Sequence, residues 1–280
     1  MCADGTVDEP AMASFVEWQV AQGTKGLIPV GTTGESPTLN HNEHRRVVEI
    51  TIEAAAGRVP VIAGAGSNST AEAIELAGHA KEAGADAILV VTPYYNRPTQ
   101  EGLFLHFMAI ADAVDIPMIV YNIPPRSVVD MSVETMARLA QHRNIVGVKD
   151  STASLVRPLH TSAACGDAFV QLSGEDHTAL AFLAAGGQGC ISVTANIAPA
   201  QCAAMHTAWA EGRVAEAMAI QRRLLPVHDA LFCESSPGPV KYGASILGYG
   251  SGHCRLPLAP IAESTKHRVR SAMTGAGLLN

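Results

Sequence analysis

Residues 144–150 read Asn144-Ile145-Val146-Gly147-Val148-Lys149-Asp150, a short apolar run closed by a basic and an acidic side chain. The run is too short for a core helix. Its β-branched content fits a strand buried on both faces of a parallel sheet. The same build recurs at 26–30, 59–63, 87–91, 117–121, 169–173 and 189–193, where Gly, Thr, Pro or Asn follows the apolar residues. Between these runs lie amphipathic segments at helical spacing, among them 43–56, 70–83, 100–113 and 132–141. Asn40-x-x-Glu43 and Ser69-x-x-Glu72 have the form of capping boxes, which satisfy the first free N–H groups of a helix. Strict alternation of strand and helix means βα units and an α/β parallel sheet.

Two architectures accommodate this alternation, a closed (β/α)8 TIM barrel and an open doubly wound sheet. Seven candidate strands suit neither fully. Segment 8–22 is a helix pattern with Phe15, Trp18 and Val20 on its apolar stripe, and a barrel requires a strand before it. Beyond residue 193 the segments 199–211, 214–232, 239–247 and 257–278 read as helices, the last barrel helix followed by a helical appendage. The expected division is a barrel at 1–212 and a C-terminal helical domain at 213–280.

With 48% apolar and 16% charged residues, the 280-residue chain can bury a large core. Nineteen Lys and Arg against 26 Asp and Glu leave a formal charge of −7, so nucleic acid is not expected as a partner. No stretch approaches the ~20 apolar residues of a membrane helix, so no membrane association is expected. The six cysteines form no C-x-x-C pair and no signal peptide precedes Cys2-Ala3-Asp4, which reads as reduced thiols and a cytoplasmic protein.

In a parallel α/β fold the chemistry sits on loops at the carboxyl ends of strands. Only five lysines occur, and Lys25, Lys81, Lys241 and Lys266 lie before a strand or on helical segments. Lys149 alone closes an apolar strand. Burial disfavours a charged amine, and a neutral amine is the nucleophile that a carbonyl substrate requires. From position alone, pairing of Lys149 with Asp150 or another acid at the strand end is an equal alternative. Tyr121 closes the preceding strand at the same edge, where a phenol can shuttle the protons of imine formation.

Gly31-Thr32-Thr33-Gly34-Glu35 offers backbone N–H groups and two hydroxyls, a cradle for a small carboxylate or phosphate, without the Gly-Lys-Ser/Thr of a P-loop. Gly64-x-Gly66 is half of a dinucleotide fingerprint and lacks its third glycine and acidic partner. His41-x-x-His44 has no third ligand and reads as a solvated helix start, so no metal is expected. Of the adjacent Tyr94 and Tyr95, one is expected to point outward and mark a binding surface.

Taken together, Gly31-Thr32-Thr33-Gly34-Glu35, Thr92-Pro93-Tyr94-Tyr95-Asn96, Tyr121-Asn122-Ile123-Pro124-Pro125-Arg126 and Val146-Gly147-Val148-Lys149-Asp150 resemble the dihydrodipicolinate synthase family. The resemblance runs in order from about Asp4 to the C-terminus. It implies a (β/α)8 barrel with a C-terminal helical domain, and condensation of pyruvate with aspartate 4-semialdehyde without a cofactor. By motif position, Lys149 would form the Schiff base, and Thr32 would link Tyr121 to a Tyr95 supplied by a neighbouring subunit. Thr33 and the Thr32 backbone would hold the pyruvate carboxylate, Arg126 the carboxylate of the aldehyde, and Gly174 and Ile191 would shape the pocket. Ser36, His41, His44, Asn68, Glu72 and Tyr94 would bind lysine as an effector, with Pro37 where the family has a small residue.

The family expectation is a homotetramer built as a dimer of dimers. Family members also have a first strand before the residues matching Asp4-Gly5-Thr6, so the chain is expected to lack the first barrel strand, through a displaced start. The alternative within the enzyme class is another pyruvate-dependent aldolase, acting on a keto-sugar acid or neuraminate. The alternative outside it is a non-catalytic sensor, which would need none of the relay formed by Lys149, Tyr121, Thr32, Tyr95 and Arg126.

Overall fold

Six of the apolar runs become strands of one sheet. The structure, a computed structural model, describes residues 1–279 and divides into two units. Unit 1 combines Met1–Val59 with Ser192–Asn280, and unit 2 is Pro60–Ile191.

Unit 2 alternates strand and helix: β1 (Ile62–Gly64), β2 (Ala87–Val91), β3 (Met118–Asn122), β4 (Ile145–Asp150), β5 (Val170–Ser173) and β6 (Gly189–Cys190). The elements of unit 1 that precede it are α1 (Glu9–Ala21) and α2 (His41–Ala55). The helices of unit 2 are α3 (Thr70–Ala83), α4 (Gln100–Ala113), α5 (Pro124–Ser127), α6 (Val133–Leu139), α7 (Arg157–Cys165) and α8 (Ala179–Ala184). The six strands are parallel, and each pairs with the next in chain order. Ile88, Val90, Met118 and Val120 are wholly buried, each side chain contributing roughly 1.5–3 kcal/mol of transfer free energy.

Register along β3 and β4 sets Ile119 against Gly147, Val120 against Val148, Tyr121 against Lys149 and Asn122 against Asp150. Gly147 is required by its other neighbour: a Cβ there would stand 2.4 Å from the carbonyl oxygen of Val170 on β5.

The expected strand at 26–30 does not form. Leu27 makes an isolated bridge, Pro29 has no N–H for a ladder, and Val30 turns into the left-handed region at φ 50°. The described sheet therefore has six strands in place of the seven expected, and the last run contributes only Gly189–Cys190. The architecture is α/β with a parallel sheet, as the alternation predicts.

Caps account for the helix starts. Asn40 accepts from the Glu43 N–H at 3.0 Å and the Glu43 carboxylate accepts from the Asn40 N–H at 2.9 Å, a complete capping box for α2. At α3 only half of the expected box exists. Ser69 accepts weakly from Glu72 N–H at 3.5 Å, while the Glu72 carboxylate is taken by the Ser67 hydroxyl.

The later part of unit 1 holds α9 (Pro199–Ala210), α10 (Val214–Leu231), α11 (Gly238–Ile246) and α12 (Glu263–Gly275). Val227, Leu231, Val240, Val269 and Met273 form a shared core between the last three of these helices. Helix α1 joins this unit through Gln19, whose amide donates to the Ala195 carbonyl at 2.9 Å, and through Trp18, stacked on Tyr249 at 4.5 Å.

Candidate active site

Pairing of β3 with β4 does the first work of site construction. Tyr121 and Lys149 are opposite one another near the carboxyl ends of adjacent strands and are 6% and 9% exposed. The Lys149 amine stands 4.0 Å from the centre of the Tyr121 ring. A cation at that distance is attracted by the ring face, and the neighbouring phenol supplies a proton-transfer group.

Asp150 does not partner Lys149. Successive strand residues face opposite sides, and the Asp150 carboxylate turns to Arg157, whose Nε is 3.0 Å away. Thr152 also donates its N–H to Asp150 at 2.9 Å. Arg157 reaches Asp130 at 3.0 Å, and Asp130 in turn accepts from the Asn122 amide at 2.8 Å. A polar clasp thus ties the residues following Tyr121 and Lys149 and leaves the pair facing the other side. Arg157 was not singled out from sequence, because its partners Asp150 and Asp130 are 7 and 27 positions away, with no local spacing that relates them to it.

Gly174 follows β5, and a Cβ there would lie 1.9 Å from the Ser151 hydroxyl and 3.0 Å from Cε of Lys149. The glycine keeps the space beside the amine open. Ile191 is anchored by its N–H to the Ser173 carbonyl at 2.8 Å. Beside Gly174, burial pushes the Glu175 carboxyl up. Arg126 sits on α5 and is exposed.

Tyr95 is 91% exposed and left-handed at φ 72°, while Tyr94 is 37% exposed. The outward tyrosine of the pair is Tyr95. Burial and the charge of Glu72 push the Tyr94 phenol up, which places Glu72 and Tyr94 in one electrostatic neighbourhood of unit 2. The Asn68 carbonyl accepts from the Asn96 amide at 2.8 Å.

The remaining sequence-predicted residues lie in unit 1. Thr32 and Thr33 occupy a tight loop in which Gly34 N–H donates to Gly31 O at 3.0 Å and Glu35 N–H to Thr32 O at 3.2 Å. Ser36 opens the following 3-10 turn, Ser36–Thr38. His41 is exposed at the first turn of α2, whereas His44 is buried, so this helix start is only partly solvated. No group of three or more His, Cys, Asp or Glu that could hold a metal occurs among the described residues. No described helix is long and apolar enough to cross a membrane.

Comparison with known proteins places this geometry in context. The model of the dihydrodipicolinate synthetase family matches residues 1–276. A 4-hydroxy-tetrahydrodipicolinate synthase of Acidiphilium cryptum is 71% identical over 279 residues, covering 100% of this chain and 96% of the relative. Among solved structures, the chloride-inhibited dihydrodipicolinate synthase of Acinetobacter baumannii complexed with pyruvate is 44% identical at a TM-score of 0.97, covering 100% of this chain and 96% of that one. The synthase of Cyanidioschyzon merolae with lysine bound is 38% identical at a TM-score of 0.95, covering 98% and 94%. The chain belongs to the dihydrodipicolinate synthetase family.

Proposed function

We infer that this chain is a lyase of the lysine and diaminopimelate route, condensing pyruvate with L-aspartate 4-semialdehyde to 4-hydroxy-tetrahydrodipicolinate. The observation that carries the mechanism is the Lys149 amine set over the Tyr121 ring at the end of paired parallel strands. The neutral amine adds to the pyruvate ketone, and loss of water leaves a protonated imine. The imine withdraws electrons from the methyl carbon, which loses a proton to give an enamine. The enamine carbon attacks the aldehyde, whose oxygen takes up a proton. The substrate's own amine then displaces Lys149 from the imine carbon, closing the ring and freeing the enzyme. Each step moves protons beside the amine, the role assigned to Tyr121.

By family motif, Thr32 carries protons between Tyr121 and Tyr95, Thr33 with the Thr32 N–H takes the pyruvate carboxylate, and Arg126 takes the aldehyde's carboxylate. A guanidinium suits that carboxylate, since it can grip both oxygens. Gly174 and Ile191 shape the pocket, and no cofactor is assigned because the Schiff base supplies the electron sink. The exposed, left-handed Tyr95 supports a homo-oligomer in which it acts on a neighbouring subunit, with a dimer of dimers in the cytoplasm as the assembly. Ser36, His41, His44, Asn68, Glu72 and Tyr94 are assigned to a lysine effector by the same motif positions, and the carboxylate charge of Glu72 felt at Tyr94 suits the ammonium group of an amino acid.

The sheet is read as part of a (β/α)8 barrel at 1–212, with the helical domain at 213–280. Support comes from the strand order, which runs in sequence without the reversal that a doubly wound sheet requires. The shared core of α10, α11 and α12 supports a separate helical region.

Incubation with pyruvate and borohydride is expected to add a reduced pyruvyl group to Lys149, read by peptide mass. Absence of the adduct removes the mechanism. Rates with aspartate 4-semialdehyde, keto-sugar acids and neuraminate then identify the substrate, and added lysine tests the effector.

A further inference from the structure

Two non-glycine residues with left-handed backbone bracket the loop that carries Thr32 and Thr33: Val30 at φ 50° and Glu35 at φ 56°. For a β-branched valine this region is an outlier. Such conformations are costly and persist only where the surroundings over-determine them. The surroundings of Glu35 come from the far end of unit 1.

Glu35 is 2% exposed. Its carboxylate is contacted by the Lys241 amine from α11, and its second oxygen accepts the Arg255 backbone N–H at 2.8 Å. Lys241 is itself aimed by a bond to the His253 carbonyl at 3.0 Å. The Arg255 guanidinium donates to the carbonyls of Gly5 at 2.7 Å and Thr38 at 2.6 Å, and it grips the Glu43 carboxylate with both terminal nitrogens. The bond to Arg255 holds the Glu43 carboxyl below its ordinary range. Glu43 also closes the capping box of α2, so Lys241 and Arg255 together fix the loop at Glu35, the turn at Thr38 and the start of the next helix.

A buried ion pair seldom adds much net stability, because loss of hydration offsets the attraction. Its partner left alone is costly. The arrangement therefore acts chiefly on geometry. We propose that Lys241 and Arg255 are positioning residues, which hold the 31–35 loop in the shape in which Thr33 and the Thr32 N–H receive the carboxylate of pyruvate. The proposal rests on the carboxylate-cradle reading of that loop given above. Neither residue touches substrate. Both act through the Glu35 carboxylate and the loop backbone, so their removal is felt as weaker pyruvate binding, with the chemistry at Lys149 retained.

The test uses the full chain and its variants Lys241→Met, Lys241→Arg and the neutral pair Glu35→Gln with Lys241→Met, each with a thermal melt, pyruvate-dependent rates and borohydride trapping. For Lys241→Met, the KM for pyruvate is expected to rise about tenfold or more with kcat within about threefold, the signature of lost ground-state binding. Lys241→Arg keeps the charge and is expected to stay within about threefold of the wild type in KM. The neutral pair removes the stranded carboxylate and is expected to fall between wild type and Lys241→Met.

A folded Lys241→Met chain with wild-type pyruvate KM, or with kcat reduced and KM unmoved, overturns the proposal. Where Lys241→Met does not fold, the neutral pair is decisive: a raised pyruvate KM supports the proposal and a wild-type KM overturns it. Absence of the adduct in the wild type removes the underlying reading, and the proposal with it. A normal wild-type adduct with unmoved KM in the variants removes the proposal alone.

Discussion

In unit 2, Lys149 and Tyr121 meet because their strands pair, with only 28 positions of chain separating their numbers. In unit 1, the loop at 31–35 keeps its shape through Lys241, a partner 206 positions away. The first arrangement follows from backbone register, which any correct pairing of two strands reproduces. The second depends on single charged side chains aimed by other contacts. One region is robust to changes of side chain around it, and the other concentrates its dependence on a few atoms.

Replacing Tyr121 by Phe probes the first region most severely. The ring stays, so the lysine keeps its aromatic neighbour, but the proton carrier is gone. Turnover is expected to fall about 10²–10⁴-fold, the range of one general acid or base. Pyruvate KM, in contrast to the Lys241→Met chain, is expected to stay close to wild type. Steady-state rates decide this, and a Tyr121→Phe chain with full turnover would break the contrast between the regions.

The next effect concerns stability. His106 on α4 is buried, its Nδ1 lies 2.9 Å from the Thr70 hydroxyl, and burial lowers its pKa from 6.5 to about 4. Between those values the unfolded chain binds a proton that the folded chain refuses, so stability falls as pH falls. Integrated from pH 7 to pH 4.5, the loss from this residue is about 2 kcal/mol. Urea unfolding of His106→Gln should show a correspondingly smaller drop over that range. An identical drop in both chains would remove His106 as the cause.

The smallest expected signal comes from mixing chains. Tyr95→Phe and Lys149→Ala preparations are each expected to be poor enzymes. If Tyr95 serves a neighbour, mixed oligomers combine one intact tyrosine with one intact lysine and recover turnover of order tenfold above either parent. No recovery after mass spectrometry has shown mixed oligomers would leave Tyr95 without a role across subunits.

Residue pattern alone made the first region legible. Strand alternation placed Lys149 and Tyr121 at one sheet edge, and cap chemistry gave the bounds of α3 and α4 as the structure has them. It misjudged places where one residue overrides a pattern. Pro29 and the left-handed Val30 undo the strand at 26–30, and Ser67 captures the Glu72 carboxylate that would have completed a capping box. Lys241 was the harder case. Its address on a C-terminal helix looks ordinary, and no local spacing relates it to Glu35. Arg157 was hidden in the same way, although it engages the Asp150 carboxylate that follows Lys149 on the strand.

The division of the chain carries a consequence for synthesis. Unit 2 is one continuous segment, whereas unit 1 is assembled from residues on both sides of it. As the polypeptide leaves the ribosome from its N-terminal end, the strands of unit 2 can pair as they emerge, while the loop at 31–35 waits for residues 241 and 255. The pairing of the lysine strand with the tyrosine strand can therefore precede the making of residues 241 and 255, whereas the loop takes its final shape only after them.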